Sequence, residues 1–597
     1  MALLNRFCEN REYASYQDFY QNYRLIPPEG FNFGYDVVDA IAAATPGKRA
    51  MLWVGEDGAQ RDFSFGDMKR LSDKAANVFL SLGIRKGDRV LLALKRHYQY
   101  WYALVALHKI GAVAIPATHQ LVKKDYAYRF QAAQVSAAVC TLDDGAPAHI
   151  LAALPQCPTV RHLLAARPPH GQSTPIPQGF LDFDALVDAA AERFTPVQTA
   201  GGSDPMLMYF TSGTTGYPKM VLHDFCYPLG HIPTARYWHR VQREGLHFTI
   251  SDTGWAKAAW GKIYGSWLCE APVFTYDFHR FHAADILEKM QQYRITTFCA
   301  PPTMYRYIIK EPLEQYDLSS LAWATTAGEA LNPEVAAQFY EKTGLTIHEG
   351  FGQSETTLAL ATFPFMDVQP GSMGRPTPGF DVCILNGDGE PATIGEPGEI
   401  CINTQGGKPA GLFLGYYQDQ ALTQACWHDG WYHTGDMAWR DGKGYFWYVG
   451  RTDDVIKSSG YRIGPFEVES ALMEHPSVLE CAVTAVPDPV RGQAVKATIV
   501  LSPGYEGSPE LVKTLQNHVK QATAPYKYPR IVEFVDVLPK TFSGKVMRKA
   551  IREQDQGKQP GADESVRKPL PVIGEKAALL EEAAPLSANG AIKAGVS

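Results

Sequence analysis

No cysteine in this chain belongs to a C-x-x-C pair, and no group of histidines and cysteines has the spacing of a zinc site. The ten cysteines are scattered over 597 residues, which reads as reduced and mostly buried thiols in a cytoplasmic protein. Positive charge is in short supply. Lys+Arg total 56 against 63 Asp+Glu, a net charge of −7, and this excludes a nucleic-acid partner on bulk charge. A polyanionic ligand would have to be held by local cations. No apolar run is long enough to span a membrane. The longest, Trp101 to Pro116, is broken by His108 and Lys109 and reads as a buried helix running into a strand. The N-terminal stretch has no signal-peptide core and carries Glu9 and Glu12, so neither secretion nor a mitochondrial presequence is expected. There are no internal repeats. No Gly-Lys dipeptide is followed by Ser or Thr, so the Walker A loop of kinases and ATPases is absent.

What is present is a chain 45% hydrophobic and 20% charged, ordinary for a globular protein with a large core. Helical periods alternate with short β-branched runs. Phe65–Leu82 then Arg89–Leu94, Ala283–Arg294 then Ile295–Cys299, and Pro333–Lys342 then Leu345–His348 share this rhythm. It predicts an α/β fold with largely parallel sheets, whose ligands gather at the carboxyl ends of strands. The texture changes near Arg451. A strand-turn-strand over Asp436–Gly450 turns at Asp441-Gly442 and leads into a polar stretch, Thr452–Gly460. A helix then starts at Gly464-Pro465, with Glu467 and Glu469 in its first turn. Strands Val478–Val486 and Ala494–Leu501, helix Pro509–Ala522 and strand Arg530–Val537 complete a small α+β unit. The expected division is 1–450, 451–555 and a disordered tail at 556–597.

The apolar run Met206–Phe210 reads as a buried strand. It feeds into Thr211, Ser212, Gly213, Thr214, Thr215 and Gly216, with Lys219 just beyond. Hydroxyls, close-folding glycines and a lysine after a strand are the makings of an anion cradle.

At this loop the chain resembles the adenylate-forming superfamily of acyl-CoA synthetases, adenylation domains and luciferases, and the likeness runs over about residues 40 to 550. Gly328 and Glu329 fit an adenine-side segment. Glu349, Gly350, Phe351, Gly352, Gln353, Ser354 and Glu355 fit the aromatic-Gly-x-Ser/Thr-Glu motif. Tyr432-His433-Thr434-Gly435-Asp436 fits a ribose motif, Gly450-Arg451-Thr452-Asp453 the hinge, and Ser543-Gly544-Lys545 the C-terminal lysine motif. Ser458 to Pro465 and Ala524 to Arg530 are most like the medium-chain acyl-CoA synthetases. The resemblance implies a large AMP- and acyl-binding domain with a small mobile one. It also implies ATP-dependent activation of a carboxylic acid to acyl-AMP, then transfer to coenzyme A.

That chemistry brings a carboxylate up to a triphosphate. Two unit charges 4 Å apart interact by about 4 kcal/mol at an effective dielectric near 20, so fixed cations must offset the repulsion. The resemblance makes Glu355 the Mg²⁺ ligand, a hard oxygen donor. Ser354 donates to the α-phosphate or acyl carboxylate, Phe351 lies against adenine, and Asp436 and Arg451 hold the ribose. Lys545 meets the charge that concentrates in the transition state. Asp453 is the hinge about which the small domain swings. Ser459, Gly460 and Tyr461 then line the pantetheine path, and Arg491, Lys520 and Arg530 meet the coenzyme A phosphates. Trp255, Trp260, Gly261 and Gly352 line the acyl pocket. Acetate-specific relatives carry tryptophan where Gly352 stands, so glycine opens the pocket to a medium-chain, branched or aromatic acid. A core role for the tryptophans stays open. In related enzymes the matching lysine is acetylated, which makes a lysine acetyltransferase and deacetylase expected partners of Lys545. Self-association into a homo-oligomer is left open.

Overall fold

Ser64 starts the first long helix. Its hydroxyl accepts from Asp67 N, and the Asp67 carboxylate accepts from Ser64 N, both at 3.1 Å. This reciprocal cap satisfies donors that the first turn leaves orphaned, and the helix runs Phe65–Ser81. Asn332 caps Pro333–Thr343, and Gly344, with φ +71°, ends it in the left-handed region. The run read as a buried helix into a strand is helix Gln99–Ile110, a left-handed turn at Gly111, then strand Val113–Pro116. Its two interrupting polar residues, His108 and Lys109, are wholly enclosed. Lys109 reaches the Asp39 and Asp73 carboxylates at 2.7 and 2.6 Å.

The computed structural model describes residues 3–9, 12–169, 174–196, 200–211, 217–459, 461–541 and 545–557. The chain divides into two compact units, Met1–Asp453 and Asp454–Ser597. Two sheets organise the first. The 14-stranded sheet has a parallel centre of Arg49–Gly55, Val273–Asp277, His247–Thr249, Thr297–Ala300, Trp323–Ala327 and Ile347–Phe351. Beyond Ile347–Phe351 it continues antiparallel through Leu360–Ala361, Ser372–Pro376, Phe446–Arg451, Trp431–Arg440, Gly398–Asn403 and Val382–Leu385. The 8-stranded sheet is parallel from Leu181–Asp182 through His162–Ala166, Ala137–Thr141, Arg89–Ala93 and Val113–Pro116 to Pro205–Thr211. Lys219–Asp224 and Gly415–Tyr416 close its edge antiparallel. The expected α/β architecture is the one found. Among the described residues no helix is long and apolar enough to cross a membrane.

The second unit is a five-stranded sheet with helices Pro465–Met473, Pro509–Ala522 and Arg548–Asp555. Three expectations change here. The polar stretch 452–460 contains strand Ile456–Ser458, paired with Tyr461–Ile463, because fully buried Ile456 anchors it to the core. The last strand is only Ile531–Phe534. Glu467 caps Gly464 N at 3.2 Å as a first-turn acid should. Glu469 instead turns inward, accepting from Val483 N at 2.8 Å and from both Arg548 nitrogens at 2.7 to 3.1 Å.

Candidate functional site

Strand Pro205–Thr211 is buried along its interior, and Thr211 pairs directly with Lys219 on the neighbouring strand. That pairing closes the base of the glycine-threonine loop. Ser212, Gly213, Thr214, Thr215 and Gly216 lie outside the described residues. Lys219 Nζ stands 5.1 Å from the centre of the Tyr416 ring, and the Tyr416 hydroxyl donates to Glu355 Oε1 at 2.8 Å. One phenol on the sheet edge therefore joins the loop's lysine to the carboxylate that follows Ile347–Phe351. Burial raises the Glu355 carboxyl above its usual pKa, while Tyr416, Lys219 and Arg451 pull it back. A hard oxygen donor held in partial enclosure near a lysine suits Mg²⁺.

The residues expected at the ribose form a second network. Asp436 faces Arg451 across antiparallel strands, and their side chains approach to 3.4 Å. Asp436 Oδ1 accepts from the Tyr448 hydroxyl at 3.0 Å, and Oδ2 accepts from Gln353 Nε2. Gln353 also donates to Thr434 O at 2.8 Å and accepts from the Tyr432 hydroxyl at 2.8 Å. Arg451 donates to the same Thr434 carbonyl at 3.0 Å. Its positive form is reinforced by Asp436, Tyr448 and Asp453, which outweigh the burial that opposes it. Segment Phe351–Glu355 thus serves both networks, Gln353 in one and Glu355 in the other. Tyr416 and Tyr448 were missed by the sequence reading, which named Tyr432 only within the ribose motif.

On the adenine side, Ala327 pairs with Gly350, so Gly328 and Phe351 continue from neighbouring strand ends. Gly328 has φ +102°, a region that favours glycine. Glu329 accepts from Thr303 Oγ1 at 2.8 Å. Glu349 departs from the nucleotide reading. It is buried, it accepts from Leu331 N at 3.2 Å, and burial pushes its carboxyl up to about 8. The folded chain therefore keeps a proton that the unfolded chain loses, and stability falls as pH rises from about 4.5 to about 8. Glu349→Gln stays neutral and keeps an oxygen for Leu331. It should raise the urea midpoint at pH 8, by a few kcal/mol in stability, and leave it unchanged near pH 4.5. A pH-independent difference would contradict this.

The acyl-side residues divide. A Cβ on Gly352 would meet the Trp260 ring at 2.5 Å and Thr357 O at 2.4 Å. The expected opening at Gly352 is filled by Trp260, and the backbone carbonyl there leaves no room for a larger residue. Trp260 is 5% exposed, and the His231 ring lies 6.3 Å away. Gly261 is not a pocket wall. A Cβ there would strike Thr249 Oγ1 at 2.0 Å and His247 Nε2 at 2.7 Å, so glycine lets helix Ala256–Gly261 press on the central strand. Trp255 precedes that helix at its N-cap, half-buried. His223, also missed, donates from Nε2 to Ser354 O at 2.7 Å. Burial pushes its pKa down to about 3, so it is neutral and fixes the Ser354 backbone.

In the second unit, Lys545 is exposed, and its N–H donates to Thr541 Oγ1 at 3.2 Å. Ser459 has φ +50° and donates from N to Arg491 O at 3.0 Å. Arg491 pairs with Asp488 at 3.4 Å. Tyr461 is half exposed and stacks on Tyr526, with ring centres 4.0 Å apart. Lys520 and Arg530 both lie over the Tyr528 ring, at 4.1 and 4.7 Å. Gly460 lies outside the described residues. Asp453 ends the first unit, 3.7 Å from Arg451.

Fold and site define an enzyme that joins acids to nucleotides. The family model described as AMP-binding enzyme matches residues 38–417, and that of the AMP-binding enzyme C-terminal domain matches 467–545. The chain belongs to this AMP-binding enzyme family and, within it, to the acyl-CoA synthetases, AMP-forming ligases. It is 40% identical to human Acyl-coenzyme A synthetase ACSM3, mitochondrial, over 92% of this chain and 94% of that protein. Among solved structures it resembles the Brucella canis acyl-CoA synthetase at 31% identity and TM-score 0.66, covering 89% of this chain and 95% of that one. It also resembles the anthranilate CoA ligase AuaEII in complex with anthranoyl-AMP at 25% identity and TM-score 0.81, covering 89% and 98%.

Proposed function

We propose that this acyl-CoA synthetase activates a medium-sized acid, medium-chain, branched or aromatic, with ATP and Mg²⁺, and delivers the acyl group to coenzyme A. The observation that carries this reading is the placement of Gln353 and Glu355. Gln353 joins the Asp436–Arg451 pair, and Glu355 joins Tyr416 and Lys219. A nucleotide's ribose and phosphates fit these two ends of one short segment.

Asp436 takes the ribose hydroxyls and exchanges Gln353 or Tyr448 for them, since two carboxylate oxygens match a vicinal diol. Lys219 and the loop before it hold the phosphates. Glu355 would hold Mg²⁺, which would supply positive charge against the triphosphate. The substrate carboxylate attacks the α-phosphorus, the bond to pyrophosphate breaks, and Lys545 stabilises the charge that gathers between them. The coenzyme A thiolate then attacks the acyl carbon and releases AMP.

Trp260 sets the depth of the pocket in this reading. Trp260→Ala should raise the ratio of kcat/KM for decanoate over butyrate by about tenfold or more, the scale of methylene discrimination. An unchanged ratio would remove Trp260 from the pocket. The function itself is tested by pyrophosphate release over a panel of acids with and without coenzyme A. Acid-independent release, or no thioester product, would overturn it. The human relative carries "mitochondrial" in its name; the cytoplasmic expectation for this chain is tested by cell fractionation.

A further inference from the structure

Three neighbouring antiparallel strands place Cys383 opposite Cys401, and Cys401 opposite His433. Glu399 stands two residues before Cys401. His433 Nδ1 lies 3.0 Å from Glu399 Oε2 and 3.4 Å from Cys401 Sγ, and one ligand atom from each residue lies within 4.8 Å of the others. Donors around a tetrahedral zinc-class ion, with bonds of ~2.0–2.3 Å, stand about 3.3–3.6 Å apart. The two separations from His433 Nδ1 are close to that spacing, and the third is within 4.8 Å. Cys401 is fully buried, while the Glu399 and His433 side chains keep 27% and 20% exposure, which leaves an approach for an ion from one side. A sulfur, an imidazole nitrogen and one carboxylate oxygen suit a borderline-soft dication and not Mg²⁺, which takes oxygen.

We propose that Glu399, Cys401 and His433 form a zinc-class divalent metal site with an open fourth position, separate from the Mg²⁺ reading of Glu355. Its consequence lies in the chain beside it. Glu399 Oε1 accepts from Gly435 N at 2.7 Å, and Gly435 stands between Thr434, whose carbonyl holds Gln353 and Arg451, and Asp436. An ion that draws in Glu399 and His433 pulls on this turn, so occupancy slows the nucleotide half-reaction.

The test uses the full chain, treated with chelator and titrated with Co²⁺. A thiolate-to-cobalt band in the near ultraviolet, with intense visible bands of a tetrahedral site, is expected at one equivalent and should be displaced by Zn²⁺. Cys401→Ser should weaken Co²⁺ binding by more than about 100-fold and abolish the thiolate band, while Cys383→Ser keeps both. Zn²⁺ should slow pyrophosphate release by the parent chain and spare Cys401→Ser. If Cys401→Ser does not fold, Glu399→Gln must weaken Co²⁺ binding by about tenfold or more. No thiolate band, a band that survives Cys401→Ser, only the weak spectrum of an octahedral oxygen site, or unaltered binding to Glu399→Gln would each overturn the proposal.

Discussion

Lys545→Ala should lower the rate of acyl-adenylate formation by about 10²–10³-fold and leave thioester formation from preformed acyl-adenylate within a few-fold of the parent. The two half-reactions separate because charge concentrates around the α-phosphorus only in the first. The second breaks a bond to AMP that already exists. The lysine side chain can be removed cleanly. Lys545 is exposed, and the anchored residues on either side of it are elsewhere: Lys540 pairs with Glu480 at 2.6 Å, and Arg548 grips buried Glu469 with two nitrogens. Alanine at 545 leaves those anchors intact, so stability should change by no more than about 0.5 kcal/mol. Pyrophosphate exchange reads the first half-reaction, and thioester release from synthetic acyl-AMP reads the second. Equal loss in both would remove Lys545 from the adenylation step and leave it a general role in holding the small domain.

What the sequence made legible was local. The helix from Phe65, the apolar run before the glycine-threonine loop and helix Pro509–Ala522 are each written in consecutive residues, and each forms within a residue of where its pattern begins and ends. Strand Ile456–Ser458 was hidden because one buried isoleucine in a three-residue strand leaves no period to read. Lys109 looked like an interruption because its two carboxylate partners lie 36 and 70 residues away. The same distance hid Tyr416, 61 residues from the Glu355 it holds, and the contact of Tyr432 with Gln353, 79 residues away. Tyr432 did carry a signal. In a strand, positions 432, 434 and 436 share a face, so the side chains beside Asp436 could have been read from alternation. Gly261 shows the converse error. A glycine within an aromatic run was taken for pocket space, whereas its missing side chain serves the approach of a helix to a sheet.

Asp453→Pro should leave adenylate formation near normal and reduce thioester formation by about 10²-fold or more, the scale of loss when reacting groups are held out of place. The argument rests on what is fixed on either side. Thr452 N donates to Gly435 O at 2.9 Å, tying residue 452 to the turn before Asp436 in the first unit. Asp454 is ion-paired to Arg552 and stands 3.9 Å from Arg548, tying residue 454 to the last helix of the second. Asp453 is the residue left between two anchored neighbours, at the division of the units. A change in the relation of the units then falls on its backbone torsions. Proline locks φ near −65° and restricts the residue before it, so the chain keeps one setting of the hinge. If that setting serves adenylation, acyl-AMP accumulates on the enzyme and coenzyme A does not discharge it. Rapid-quench measurement of bound acyl-AMP, with and without coenzyme A, distinguishes this from simple misfolding, which would abolish both steps. Normal turnover in the proline variant would mean that both half-reactions proceed without rotation at Asp453.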